Sequence, residues 1–512
     1  MIRDERGAIA YLCQTVTLTV MSSRSSPEQT DDRLAALVDD LLVRDPAVHA
    51  AALDELADVG DRRVVPHLIE TLVIHEIGGD WEQFGFPEVL RDRSPPRYLE
   101  LPEARWPGVR DALQTIAEPD YDSDYAWVEW ETWYSQQGIE PLEGFDEWKL
   151  QLYRSYLPPV GRLLDAEPRA FDLRDIRWGN CDPSFLAACN EPDFVPGDAV
   201  ATDAESEAGE YDRYLDPKDA VFGFTVGDTA YAVPRWVLFP HELANVTVDG
   251  TPLTLTYCTL CNAPICYDRR VGDRSLTFSS TGMLLDGNKV MFDEETESLW
   301  SQHRGVPIAG EYLDGGGDAS LDVRPVTQTS WAEWREAHPE SLALDIDTGY
   351  DFDYRFYEDD IGFFRHYWND EDAVQPGVET ADGALPEKTD VYGVTTDDGT
   401  TVRVYPVDDV PDDGVWTDEI DGRSVVVLRD ETGDVAVYEA PPTPVERDDD
   451  ALVDAEGTRW RPGRQALAGE REERGESGEP DGRERPRMPG RHGLFFAFRS
   501  QYETVEVGPT GT

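Results

Sequence analysis

Lysine is nearly missing from this chain. Of 45 basic residues among 512, four are lysines (Lys149, Lys218, Lys289 and Lys388), while Asp and Glu number 105 and the formal net charge is −60. That balance excludes a nucleic-acid binder, because nothing would offset phosphate repulsion. The acids are spread along the whole length, a halophilic type of composition in which carboxylates hold water and salt screens their repulsion. Long apolar runs are also lacking: none approaches the ~18–20 residues of a membrane span, so no membrane partner is expected. Met1 to Val20 has acids and arginines ahead of the short run Thr15–Val20 and no signal-peptide core; residues 1–30 read as a disordered leader, with a cytoplasmic location. Six cysteines are too few for a disulfide scaffold. No phosphate-binding glycine loop, His-Glu-x-x-His pair or Gly-x-Ser-x-Gly elbow occurs.

What is present argues for a folded, multidomain α+β protein. Hydrophobic residues make up 40% and aromatics 10%, which excludes a disordered acidic chain. Residues 31–165 form the helical part: Leu34, Leu37, Val38 and Leu41, then Leu53 and Leu56, then Val65, Leu68, Ile69 and Leu72 recur at helical spacing. The stretch from Arg44 to Ile69, with Asp45-Pro46 at a turn and Val65-Pro66 opening the next helix, resembles a HEAT-like repeat, which needs a neighbour to cover its apolar face. Trp127, Trp130, Trp133, Trp148 and Tyr153 supply that neighbour as core. Residues 166–214 read as a connecting segment containing a loop at 201–210.

Beyond it the period changes to that of strands, in Val221–Val226, Leu253–Tyr257, Ser275–Phe278 and Lys289–Phe292, with Asp-Gly and Gly-Asn turns between. An internal repeat is visible here. Leu215, Lys218, Val221, Phe222 and Gly223 fall in register with Leu385, Lys388, Val391, Tyr392 and Gly393; Asp249-Gly250 matches Asp421-Gly422, Trp300 matches Trp460, and Trp331 and Trp334 match Phe495, Phe496 and Phe498. We therefore expect a duplicated, mainly β domain with a pseudo-two-fold relation, its copies at 215–345 and 385–505 joined by a connector at 346–384. Arg471 to Arg487 reads as a charged loop inserted in the second copy.

Chemistry concentrates at Tyr257-Cys258-Thr259-Leu260-Cys261-Asn262, just after a strand. Two intervening residues let both sulfurs face the same way, which suits a redox dithiol or two ligands of one metal. In the redox reading Cys258 attacks as thiolate and Cys261 resolves the mixed disulfide, without an organic cofactor; the sulfurs must then lie close together and reachable from water. Arg269, Arg270 and Arg274 are the nearest cations in sequence. In the metal reading zinc takes Cys258, Cys261, Cys266 and His241. In the third reading the thiols are structural, and the chain is a binding or scaffold protein that docks a partner through its helical region. Cys258 aligns with Asp430 and Cys261 with Gly433, so thiol chemistry is confined to one copy. Tyr257, Trp300 and Gln302 are pocket candidates, and His303 a candidate proton relay. His366, among aromatics, lies in the connector.

These residues resemble a known family. Leu255–Asn262, Tyr267-Asp268-Arg269, Gly282-Met283-Leu284, Asn288–Asp293 and Thr296–Gln302 are similar to the signature of the domain of unknown function 3179 family, specifically across 215–345 and weakly through the second copy. The resemblance carries no established activity. Through selenoprotein members it implies a redox-reactive position in the cysteine motif, served by an unknown redox partner. Cys266 departs from the family, which has an apolar residue there.

Overall fold

The computed structural model describes residues 27–77, 108–117, 119–121, 126–179, 183, 188–202, 213–315, 319–350, 354, 367–368, 370–371, 374, 378, 384–448, 450–471 and 479–509. Most of the leader, Cys13, Cys181, His366 and most of the loop at 201–210 lie outside the described residues. Among those described, no helix is long and apolar enough to cross a membrane.

The N-terminal region is helical, and its turns follow from capping chemistry. Asp45 accepts a hydrogen bond from the Ala47 N–H at 2.9 Å, Pro46 opens helix Pro46–Val59, and Gly60 closes it at φ 67°. Asp61 caps the next turn by accepting from the Arg63 N–H at 3.0 Å and feeds the chain into helix Val65–Ile77. These helices pack with Pro27–Asp40, Val109–Ala117, Ala126–Ser135 and Phe145–Tyr156 around Leu53, Leu68, Trp130, Trp148 and Tyr153. The aromatics are core, as expected. The same core continues through Ile176, Trp178, Met283, Val290 and Leu299, so the helices sit directly on a β-sheet.

That sheet runs in the order 176–178, 278–285, 288–293, 299–301, 307–309. A second sheet runs 322–324, 263–268, 251–258, 243–248, 189–190, and a third 327–330, 220–226, 229–234, 342–344, 194–196. The segment 166–214 is thus more than a connection: Ile176–Trp178, Cys189–Asn190 and Phe194–Pro196 each pair with a strand far along the chain. Short strands of two or three residues carry too little periodicity to be seen in sequence.

The C-terminal region has a sheet ordered 491–494, 390–395, 401–406, 504–507. In it an antiparallel hairpin is flanked by one antiparallel strand, a helix at Phe495–Gln501, and a final strand parallel to the hairpin. The third sheet of the preceding region has the same arrangement, with the helix at Trp331–Ala337 between strands Thr327–Ser330 and Leu342–Leu344. A β-carbon added to Gly223 would lie 2.2 Å from the Trp334 ring, and one added to Gly393 would lie 2.2 Å from Phe498. Trp300 donates to Asp293 at 2.9 Å, and Trp460 donates to Asp454 at 3.0 Å. The charged stretch from Arg471 to Arg487 is not simply a loop. Glu479–Pro486 pairs with Ala466–Arg471, and the guanidinium groups of Arg483 and Arg485 stand 5.6 and 5.7 Å from the centroid of the Trp460 ring. Cation–π contact holds this charged edge strand, whose composition hides its pairing.

Candidate functional site

Strand Thr251–Cys258 ends on Cys258, and strand Ala263–Asp268 returns antiparallel with Ala263 opposite Cys258. Between them the Cys261 N–H donates to the Cys258 carbonyl at 3.2 Å. Asn262 turns the chain at φ 46°, a left-handed conformation that asparagine tolerates. Its side chain is held on both sides, accepting from the Tyr257 hydroxyl at 3.1 Å and donating to Asp390 at 3.0 Å. In the C-terminal region the turn in which the Gly433 N–H donates to the Asp430 carbonyl at 3.0 Å bears no thiols.

The turn brings the Cys258 and Cys261 sulfurs to 2.9 Å, both as free thiols. Proximity is as expected; exposure is not. Cys258 is 1% and Cys261 0% exposed, because Leu494, Phe496 and Ala497 from the C-terminal region and Val374 and Val378 from the connector close over them. Main-chain contacts fix this cover: the Leu494 N–H donates to the Cys261 carbonyl at 2.8 Å, the Tyr367 hydroxyl to Leu260 at 3.1 Å and the Trp368 indole to Thr259 at 3.2 Å. Lys388 in turn donates to the carbonyls of Tyr367 and Asp370.

The two thiols differ electrostatically. Burial pushes the Cys258 thiol up, but the hydrogen bond with Cys261 and the N–H groups of Lys289, Cys261 and Leu260 outweigh it, leaving Cys258 below the ordinary thiol value. Burial and the adjoining Cys258 both push Cys261 well above it, against a smaller opposite effect from Asn288. Cys189 and Cys266, sealed in apolar surroundings, are raised to about 12. Among the described cysteines Cys258 alone is moved toward its thiolate. The sequence-adjacent arginines have no part in this: Arg269 bonds Glu191 and the Leu276 carbonyl, Arg270 bonds Asp268, and Arg274 pairs with Glu311.

Gln302 reaches the pair through Asn288. Asn288 donates to the Gln302 side-chain oxygen at 3.0 Å and approaches the Cys261 sulfur at 3.5 Å, while Gln302 donates to Thr256 and the Ala263 carbonyl. Asn288 follows the Asp286-Gly287 turn, whose Gly287 carbonyl lies 3.4 Å from the Cys261 sulfur. In the sequence Asp286 and Gly287 read only as a turn, and the contact of Asn288 with Cys261 has no local signal because it is made across strands. Tyr257 flanks the turn, its ring packed on Phe222.

Two pocket candidates and the zinc set need correcting. Trp300 is core, packed with Phe278 and Met291 in a cluster apart from the cysteines. His303 is fully buried, burial drives its pKa well below the ordinary value, and neither ring nitrogen has a hydrogen-bond partner, so its neutral ring has no route along which to relay a proton. Its ring packs on Phe498 and Tyr502, and only its backbone N–H reaches the site, donating to Asn288. Cys266 faces a different apolar cluster, and His241 bonds Tyr354 at 2.7 Å. No group of three or more metal-ligating side chains is assembled among the described residues, so Cys258, Cys261, Cys266 and His241 are not brought together as a zinc site.

The sequence model of the family described as "Protein of unknown function (DUF3179)" matches residues 191–502, a span that holds the dithiol, the Asn288–Gln302 contacts and the C-terminal cover. No curated protein and no solved structure matches the chain.

Proposed function

Starting from a chain that belongs to the DUF3179 family, we propose that it is a thiol–disulfide oxidoreductase whose reactive pair is Cys258 and Cys261. The observation that carries this reading is two free sulfurs 2.9 Å apart, one facing N–H donors that stabilise its thiolate and the other held protonated. The Cys258 thiolate attacks one sulfur of a substrate disulfide, forming a mixed disulfide and expelling the first substrate thiolate. Cys261 gives up its proton and attacks the Cys258 sulfur, forming the protein disulfide and expelling the second thiolate. Two electrons pass from protein to substrate; one released thiolate takes the proton given up by Cys261 and the other takes one from solvent, matching the proton Cys258 lost on forming its thiolate.

The matching strand orders, the paired glycine–aromatic contacts and the paired Trp–Asp bonds support reading 215–345 and 385–505 as two copies of one unit. Gene duplication followed by specialisation then accounts for thiols in one copy and a cover supplied by the other. Helices Pro46–Val59 and Val65–Ile77, joined by a capped turn, support the HEAT-like reading of the N-terminal region.

The burial of both sulfurs favours a second reading, a non-catalytic binding protein with a structural pair. Reaction with a small neutral disulfide separates the two. The redox reading predicts rapid release of two equivalents of thiol per chain, abolished in Cys258→Ser with the melting temperature little changed. Wild-type thiols that react only as the chain unfolds establish the structural reading instead.

A further inference from the structure

Asn288 and Gln302 are both buried, so the polar atoms of their side-chain amides need partners inside the protein. Those partners form one chain of hydrogen bonds whose direction is fixed at both ends by main-chain groups. At one end the His303 N–H, which can only donate, meets the Asn288 oxygen at 3.2 Å. At the other end the Gln302 nitrogen donates to the Ala263 carbonyl, which can only accept, at 3.1 Å. It also donates at 2.8 Å to the Thr256 hydroxyl, whose own proton goes to the Ile265 carbonyl. Neither amide can be turned over without setting donor against donor or acceptor against acceptor. The Asn288 nitrogen therefore gives one proton to the Gln302 oxygen at 3.0 Å and aims the other at the Cys261 sulfur, 3.5 Å away.

That donor bears on one step of the exchange. In the resting pair Cys261 is held protonated, and the Gly287 carbonyl 3.4 Å from its sulfur favours that form. Resolution requires the opposite: Cys261 must lose its proton and carry negative charge on a sulfur shut away from water. Burial disfavours that charge, and the Asn288 amide acts the other way. A fixed N–H aimed where charge develops stabilises it without reorganising, as the donors around an oxyanion do. Entry of an oxidant needs the cover over the sulfurs to move, whereas resolution is internal, between sulfurs already 2.9 Å apart. All members of the amide chain belong to the β-rich region that carries the cysteines and none to the cover, so admitting a disulfide does not require breaking it.

We propose that Asn288 is a third catalytic residue of the dithiol, its amide N–H stabilising the Cys261 thiolate as it attacks the mixed disulfide, and that Gln302 is the positioning residue that holds Asn288 in that orientation. The inference rests on the redox reading and adds the group that assists its second step. The Cys261 proton passes to the first released thiolate, and the Cys261 electron pair forms the bond to the Cys258 sulfur. The bond from that sulfur to the substrate breaks, its electron pair leaving on the second thiolate. Asn288 keeps both of its amide protons throughout.

The test uses the full chain and dithiodipyridine, a neutral aromatic disulfide whose released thione is read by absorbance. The first equivalent released reports attack by Cys258 and the second reports resolution by Cys261; intact mass after acid quench counts chains held as the mixed disulfide. Lowering the pH deprives resolution of thiolate, so the ratio of second to first rate falls with pH. Asn288→Ala is expected to lower that ratio about tenfold at a given pH, moving its profile up by about one pH unit, with the mixed disulfide accumulating. The loss is below that for an oxyanion donor because sulfur is the weaker acceptor. Asn288→Leu fills the space without a donor and is expected to act alike, which separates the lost N–H from lost packing. Gln302→Met leaves Asn288 without its anchor and gives a smaller change in the same direction, and it decides the question where an Asn288 variant does not fold. If the variants keep the wild-type ratio at every pH, or if Asn288→Leu keeps it while Asn288→Ala does not, this inference falls and the redox reading stands. If the wild-type chain releases no thione while folded, both fall together.

Discussion

Cys258 and Cys261 share the same chemistry and the same burial, yet their hydrogen bonds give them opposite tendencies. The Cys261 thiol is one of the groups that lower Cys258, so removing it should be felt at its neighbour. Cys261→Ala leaves desolvation with less to oppose it, and the pH at which Cys258 begins to react moves upward. Rates of reaction with a neutral disulfide as a function of pH measure this: the wild type gains reactivity below the pH of an ordinary thiol, and the variant at higher pH. An unshifted profile would show that the N–H groups act alone. The motif itself was plain in the sequence, because a pair two residues apart after a strand is a local pattern. What lowers Cys258 was not, since the N–H of Lys289 comes from another sheet and Arg269, Arg270 and Arg274, close in sequence, point to other partners.

The hairpins and helices illustrate where local chemistry suffices. Asp249-Gly250 and Asp421-Gly422 all adopt positive φ, as the two-residue turns they suggested require. Asp45-Pro46 and Gly60 bracket a helix where they stand. Gly223 and Gly393 were visible only as positions in register; the structure shows that each admits an aromatic ring against its strand. Gly223→Ala and Gly393→Ala are each expected to destabilise by about 1–3 kcal/mol through overpacking, read as a lower melting temperature. A tolerated alanine at either position would mean that the helix carrying the ring shifts freely. Strand Glu479–Pro486 escaped notice for the converse reason: it is held by arginines over Trp460 and by pairing, not by an apolar face.

Across the molecule, the dithiol belongs to no single region. One β-rich region carries the sulfurs, the other closes over them through Leu494, Phe496 and Ala497, and the connector adds Val374 and Val378. Composition and repeat made the regional layout readable, while the meeting of these segments depends on contacts hundreds of residues apart. The account turns on whether the covered pair exchanges electrons in the native protein. Equilibrating the full chain in a series of thiol–disulfide buffers, trapping free thiols under denaturing conditions and locating them by peptide mass measures this directly. The account predicts one two-electron transition in which Cys258 and Cys261 are protected together, with Cys189 and Cys266 reduced throughout. A pair that stays fully reduced across buffers in which the chain remains folded would contradict it.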